Sequence, residues 1–241
     1  MKFYYFRKIN SSKIGKNTGS DILKIKGAIF DMDGTLIDSL MIWDILWKKM
    51  GLKYFADEHF LPNQSDRQAV RTCTLESAMK LIYENYNIGE SSEDLLLFAS
   101  SVINDFYSSE VQLKDGVLDF LKYAKEKNVK MCIASATAPE LIKVALEHCN
   151  IKEYFLKIFS CAEFNIGKDK PYIFEKALQY LETPISETWV FEDSALPLKV
   201  VKQIGMPTVG IYDKFNDSKD VKLNSNIYIS SAKDFEKLII D

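Results

Sequence analysis

The chain has 241 residues, 47% hydrophobic and 27% charged, a composition that fits one large globular domain or a domain carrying an insert and excludes collagenous, coiled-coil and disordered classes. A net charge of -3 gives no general attraction for polyanions, so neither nucleic acid nor an anionic membrane is an expected partner. No apolar run approaches the roughly 18 residues needed to cross a bilayer. Small-molecule chemistry is the remaining class.

Residues 1–20 open with Phe3-Tyr4-Tyr5-Phe6 between basic residues, an apolar run too short for a secretory signal. Asn10 to Ser20 is polar with Gly15 and Gly19, and the whole stretch reads as a flexible extension. Next comes Lys26-Gly-Ala-Ile-Phe-Asp31-Met-Asp33-Gly34-Thr35-Leu36. Ala28, Ile29 and Phe30 suit a strand buried on both faces of a parallel sheet, and ligands of such sheets bind at the carboxyl ends of the strands. Asp31 and Asp33 would project there. Two carboxylates one residue apart, with a glycine to turn the backbone, can share a hard divalent cation and leave an oxygen free to react. An ordinary Asp-Gly turn leaving the core is the competing reading.

Trp43, Leu46, Trp47 and Met50 fall on one helical face, predicting a helix that ends near Gly51. Leu75, Ala78, Met79, Ile82 and Tyr86 share a second face. Leu95, Phe98, Ala99, Val102 and Phe106 share a third, after the capping pattern Ser91-Ser-Glu-Asp94. No strand is expected between Ser39 and Leu113, and these aromatic and methionine stripes read as core. From Lys114 helix and strand alternate: a helix through Val117, Phe120, Leu121 and Ala124, a strand over 129–134, a helix from Pro139 to His148 and a short strand over 158–161. A helix opened by Pro171 follows, then a strand Trp189-Val-Phe191, a helix over 198–204 and a strand over 208–212. Alternation of this kind predicts an α/β fold with a parallel sheet covered by helices on both faces. The helical stretch is then an insertion.

Two further strand ends carry polar groups. Ser135-Ala136-Thr137 follows the 129–134 strand, where a hydroxyl and backbone N–H groups can hold a phosphate oxygen; helix capping is the alternative for Ser135 and Thr137. Glu192-Asp193-Ser194 follows Trp189-Val-Phe191, a second apolar strand running into paired acids, which points to a shared metal site. Lys168 lies before the Pro171 helix, where a cation opposes the helix dipole unless an anion receives it. Lys170 competes with it. The cysteines Cys73, Cys132, Cys149 and Cys161 form no CxxC pair and are expected to be reduced, in a cytoplasmic protein. His59 and His148 stand apart from other ligand-type residues, which argues against a histidine metal site or a Ser-His-Asp triad.

Asp31-Met-Asp33-Gly34-Thr35-Leu36 resembles the first signature of the haloacid dehalogenase superfamily, in the form carried by its phosphatases. Ser135, Lys168 with Pro171, and Glu192-Asp193 resemble the later signatures, in order. The resemblance implies a doubly wound, Rossmann-like core over residues 21–38 and 114–241, with an all-helical cap domain over 39–113. It implies a Mg2+ cofactor held by Asp31, the backbone carbonyl of Asp33, and Asp193, with Glu192 assisting. It further implies Asp31 as nucleophile, Asp33 as acid and base, and Gly34, Thr35, Ser135, Ala136 and Lys168 around the phosphate of a small phosphorylated metabolite. A dehalogenase would not need Asp33, so phosphate esters are favoured. A β-phosphoglucomutase-like mutase and a non-catalytic phosphate-binding regulator are the alternatives. Trp43 stands where that mutase has a histidine, and Thr74 where it has a phosphate-gripping arginine, both departures favouring a hydrolase.

Overall fold

The computed structural model describes residues 24–70 and 74–238. The extension over 1–20, Arg71 and Cys73 lie outside the described residues. The first strand, β1 (Gly27–Phe30), is followed by α1 (Ile42–Phe55), α2 (Gln64–Val70), α3 (Leu75–Tyr86) and α4 (Ser92–Asp105), the last running into a π-helical turn at Phe106–Glu110. Then come α5 (Val117–Glu126), β2 (Lys130–Ser135), α6 (Pro139–His148), β3 (Lys157–Ser160) and α7 (Cys161–Phe164). The chain continues with α8 (Tyr172–Leu181), β4 (Thr188–Glu192), α9 (Ala195–Gln203), β5 (Thr208–Ile211), α10 (Ser218–Asn224) and β6 (Ile227–Ile229). The six strands form one parallel sheet in the order β3-β2-β1-β4-β5-β6.

This order reverses direction beside β1, which pairs with β2 on one side and β4 on the other, so β1 ends at the switch point where open α/β sheets bind ligands. Every residue of β1 is buried, as expected of a strand covered on both faces. The pleat then sorts the side chains. Phe30 stacks on Phe191 at 4.4 Å and meets Phe120 of α5 edge-on, while Ile29 packs to the other face with Cys132, Phe174 and Val190. Val117, Phe120, Leu121 and Ala124, the predicted stripe of α5, are all buried.

Between Ile42 and Glu110 the described residues are helical or irregular, with no strand. Ser91 caps α4 by accepting the Asp94 N–H at 3.1 Å, which is the predicted cap. Ala78, Met79 and Ile82 are the buried face of α3, and Leu95, Ala99 and Val102 that of α4.

The structure corrects several expectations. The first helix does not stop at Gly51; it continues to Phe55 and ends where Ala56 turns left-handed, with the Ala56 and Asp57 N–H groups both directed to the Gly51 carbonyl. Gly51 serves a close approach instead, since a Cβ there would lie 2.1 Å from the Asp57 carbonyl oxygen. The short helix α2 and the pair α10 and β6 were not expected. They are short and only partly apolar, and β6 earns its place by pairing with β5 rather than by pattern. Cys161 starts α7 instead of ending the strand, because Ser160 provides a capping box with Glu163.

Candidate active site

The mouth of the sheet gathers the ends of β1, β2 and β4. The turn after β1 depends on Gly34, whose φ of 77° suits glycine and whose missing Cβ leaves room for Asp193: a β-carbon would lie 2.3 Å from Asp193 Oδ2. Asp31, Glu192 and Asp193 are buried, and each brings a carboxylate oxygen within 4.8 Å of the others. Lys168, in the turn before α8, donates from Nζ to Asp31 Oδ1 and, at 2.7 Å, to Glu192 Oε1. Its side chain is 9% exposed, against 67% for Lys170, which pairs with Asp169 outside. Of the two lysines the sequence offered, Lys168 is the one that reaches the mouth carboxylates.

Three buried carboxylates face one ammonium, so the cluster is short of positive charge. Burial, helped by Glu192 and Asp33 and opposed by Lys168, pushes the Asp31 carboxyl up to about 7. Burial with Glu192 and Asp31 holds Asp193 well above the usual carboxylate range. For Lys168 burial acts downward, yet Asp31 and Glu192 outweigh it and raise the ammonium above its ordinary value. A divalent cation with a preference for oxygen fits this donor set, which contains neither imidazole nor thiolate and which such a charge would keep ionised. Of the carboxylates, Asp31 has the freest oxygen, Oδ2, since Lys168 takes Oδ1. Both Glu192 oxygens are already engaged, Oε1 by Lys168 and Oε2 by the N–H groups of Asp193 and Ser194 at 2.9 and 3.1 Å.

Asp33 is not in that cluster by its side chain. Its carboxylate accepts three hydroxyls at 2.6 Å each, Ser39 and Tyr107 on Oδ1 and Thr137 on Oδ2. Thr137 is therefore not the helix cap that its place before Pro139 implied: Ala138 occupies the cap position, without a side-chain bond. Ser135 does not cap α6 either. It is 1% exposed at the end of β2, and its oxygen accepts the Thr137 N–H at 3.1 Å, while Ala136 is exposed beside it. Thr35 donates to Asp193 Oδ1 at 3.1 Å.

Sequence reasoning missed the residues that support these groups. Asn216, beyond β5, donates to Asp193 Oδ2 at 2.5 Å. Its loop is pinned by Lys114, which donates to the Tyr212 carbonyl and to the buried Asp213 at 2.9 and 2.7 Å. A polar loop following a predicted parallel strand was the available signal for Asn216. No local pattern marked Ser39 or Tyr107. A cavity of about 540 Å³ lies nearby, lined by Asp38, Lys114, Tyr212, Ser230 and Phe235 rather than by the mouth carboxylates.

With this geometry in place, the comparison with known families is decisive. The family model described as haloacid dehalogenase-like hydrolase matches residues 25–205. The chain belongs to this family. Among curated relatives, the Phosphorylated carbohydrates phosphatase of Thermotoga maritima is 22% identical over 197 residues, covering 81% of this chain and 89% of that protein. The (DL)-glycerol-3-phosphatase 2 of Arabidopsis thaliana is 24% identical over 231 residues, covering 88% and 89%. Among solved structures, a Thermotoga maritima protein provisionally assigned as a beta-phosphoglucomutase superposes with a TM-score of 0.76 at 19% identity, over 89% of this chain and 98% of that one. CbbY from Rhodobacter sphaeroides in complex with phosphate superposes at 0.70 with 17% identity, over 88% and 96%. These superpositions place the hydrolase on the fold of the family. Among the described residues no helix is long and apolar enough to cross a membrane.

Proposed function

We propose that this haloacid dehalogenase-like hydrolase is a Mg2+-dependent phosphatase that cleaves a small phosphate monoester through an aspartyl-phosphate on Asp31. The observation that carries the reading is the division of labour between two neighbouring acids: Asp31 is buried against Lys168 within the acidic cluster, and Asp33 is held apart from it by three hydroxyls. In the first half-reaction an Asp31 oxygen bonds to phosphorus as the ester P–O bond breaks, and the departing oxygen keeps the bonding pair and takes a proton from Asp33. In the second, a water oxygen bonds to phosphorus while giving its proton to Asp33, and the bond to Asp31 breaks to return the free carboxylate and inorganic phosphate.

Lys168 lies where it can neutralise charge on the transferring group, and Ser135 with the backbone of Ala136, Gly34 and Thr35 can orient it. Asp31, the Asp33 backbone carbonyl and Asp193 would hold Mg2+, with Glu192 acting through Lys168 or a water. The ion would supply electrostatic relief for an anionic nucleophile approaching an anionic ester. A hydrolase is favoured over a mutase because Trp43 stacks on Trp47 at 5.5 Å and Thr74 caps α3 by accepting the Ser77 N–H at 3.2 Å. Both residues are engaged in structure, and neither carries the positive charge that an arginine or a protonated histidine would bring to a second phosphate. The relatives named for phosphorylated carbohydrates and glycerol 3-phosphate make sugar and polyol phosphates the first substrates to try.

The test is release of inorganic phosphate from a panel of sugar, polyol and nucleotide monophosphates, with Mg2+ and after chelation. Metal-dependent release without a bisphosphate activator is expected. Isomerisation of a sugar phosphate without net phosphate release would establish the mutase instead.

A further inference from the structure

The cavity of about 540 Å³ lies beyond the carboxyl ends of β5 and β6, and its volume falls within the roughly 300–1,000 Å³ of ordinary small-molecule sites. None of the mouth residues Asp31, Asp33, Lys168, Glu192 and Asp193 lines it. Its floor is apolar, with Ile211, Ile229 and Phe235 each at most 5% exposed. One wall forms where the two crossings that hinge the helical block of 42–110 to the sheet run side by side. There the Asp38 N–H donates to the Gln112 carbonyl and the Lys114 N–H to the Leu36 carbonyl, both at 2.9 Å. Asp38, Lys114 and Asp115 line the cavity from these crossings, and Ser230 and Ser231 line it from the turn after β6.

The charges on these walls do not balance. Lys114 is already spent: its ammonium donates to the Tyr212 carbonyl at 2.9 Å and to the buried Asp213 at 2.7 Å, so it neutralises a carboxylate that does not line the cavity. Asp38 and Asp115 have no such partner, since among the described residues neither side chain makes a hydrogen bond or an ion pair. The serines add acceptors. Ser230 and Ser231 direct their hydroxyl hydrogens to Asp234 Oδ2 at 2.6 and 3.4 Å, and their backbone N–H groups to the same oxygen at 2.7 and 3.1 Å. What remains for a ligand is the hydroxyl lone pairs. An anion would meet two unpaired carboxylates with no unpaired cation among the described lining residues, so the cavity is not an extension of a site for phosphate esters. We infer that it is a second binding site, taking a small organic cation whose ammonium group is drawn to Asp38 and Asp115 and whose apolar body lies on Ile211, Ile229 and Phe235. An ammonium has three donors and no acceptor, which complements what the walls offer, and its bonds to carboxylates are of the strong, charge-assisted kind. The inference does not rest on the chemistry assigned to Asp31 and Asp33.

The test is an NMR titration of the full, isotope-labelled chain with three probes of one shape: phenethylamine, phenethyl alcohol and phenylacetate, which are a cation, a neutral alcohol and an anion at neutral pH. The amine is expected to bind in roughly the millimolar range or tighter, as suits a ligand of its size, and to shift the amide signals of Tyr212 and of 229–232. The alcohol should bind about fivefold or more weakly than the amine, and phenylacetate more weakly still. Asp38→Asn and Asp115→Asn should each weaken amine binding by roughly two- to tenfold, and Ala232→Trp, which adds bulk at the cavity wall, should abolish it. Asp115 is exposed, so Asp115→Asn carries the test if either of the other variants does not fold. Equal binding of amine and alcohol, amine affinity unchanged in the Asp38 and Asp115 variants alike, or no amine binding at about 20 mM would each overturn the inference. An amine that settled at the acidic mouth instead would shift signals around Asp31, ignore Asp115→Asn and overturn it as well. Because every readout is binding, failure here leaves the phosphatase reading intact, and inactivity on phosphate esters would leave this inference intact.

Discussion

The mouth of the sheet and the helical block bury side chains for different ends. At the mouth, groups from distant parts of the chain hold one another: Lys168 reaches Asp31, Thr35 and Asn216 reach Asp193, and Thr137 reaches Asp33, each pair far apart in sequence. In the block, burial is mostly apolar and mostly local, with Leu46, Trp47, Met79, Ile82, Leu95 and Ala99 at most 1% exposed. The block's outer surface carries loose apolar groups such as Leu97, 72% exposed. The chemistry therefore hangs on polar partnerships, whereas the block can change its surface while keeping its core, and it touches the site through the Ser39 and Tyr107 hydroxyls.

The sharpest probe of the mouth is Asp31→Asn. An amide cannot form the aspartyl-phosphate, so turnover should fall by at least about 10⁴-fold, as when a nucleophile acting within a concerted unit is removed. Circular dichroism and thermal melting should show an intact fold, and near-wild-type turnover would remove Asp31 from the role. Asn216→Ala is a milder perturbation, taking away a partner of Asp193. It should weaken apparent Mg2+ affinity by roughly 10- to 100-fold, read from the metal dependence of phosphate release, with much of the rate restored at saturating metal. An unchanged metal dependence would mean that Asp193 needs no such support.

The smallest catalytic effect is expected from the block's own core. Met79→Ala deletes a fully buried side chain and should cost about 2–5 kcal/mol in unfolding free energy by denaturant titration. Its kcat/KM on an activated aryl phosphate should stay within about twofold under conditions where the protein is folded, since the proposed acid is not called upon there. A large catalytic loss at Met79 would break the separation between mouth and block.

What the sequence determined by itself was whatever local pattern can carry. The apolar run into Asp31-Met-Asp33-Gly34 marks a buried strand ending in charge, and Trp189-Val-Phe191 into Glu192-Asp193 repeats it, because a strand's burial and its polar tip are written in consecutive residues. The stripes of α3, α4 and α5 were legible for the same reason, and with them the parallel α/β sheet interrupted by helices. Tertiary structure decided what depends on neighbours distant in the chain. Lys168 rather than Lys170 meets Asp31 because the turn before α8 buries one ammonium and leaves the other in water. Thr137 serves Asp33 instead of a helix end, and β6 exists as a strand because β5 offers it an edge. Tyr107 and Asn216 acquire their partners only when the hinge and the loop after β5 close on the mouth. A hydroxyl or an amide has no periodicity to betray its partner; the acceptor it finds is set by the fold that brings the two together.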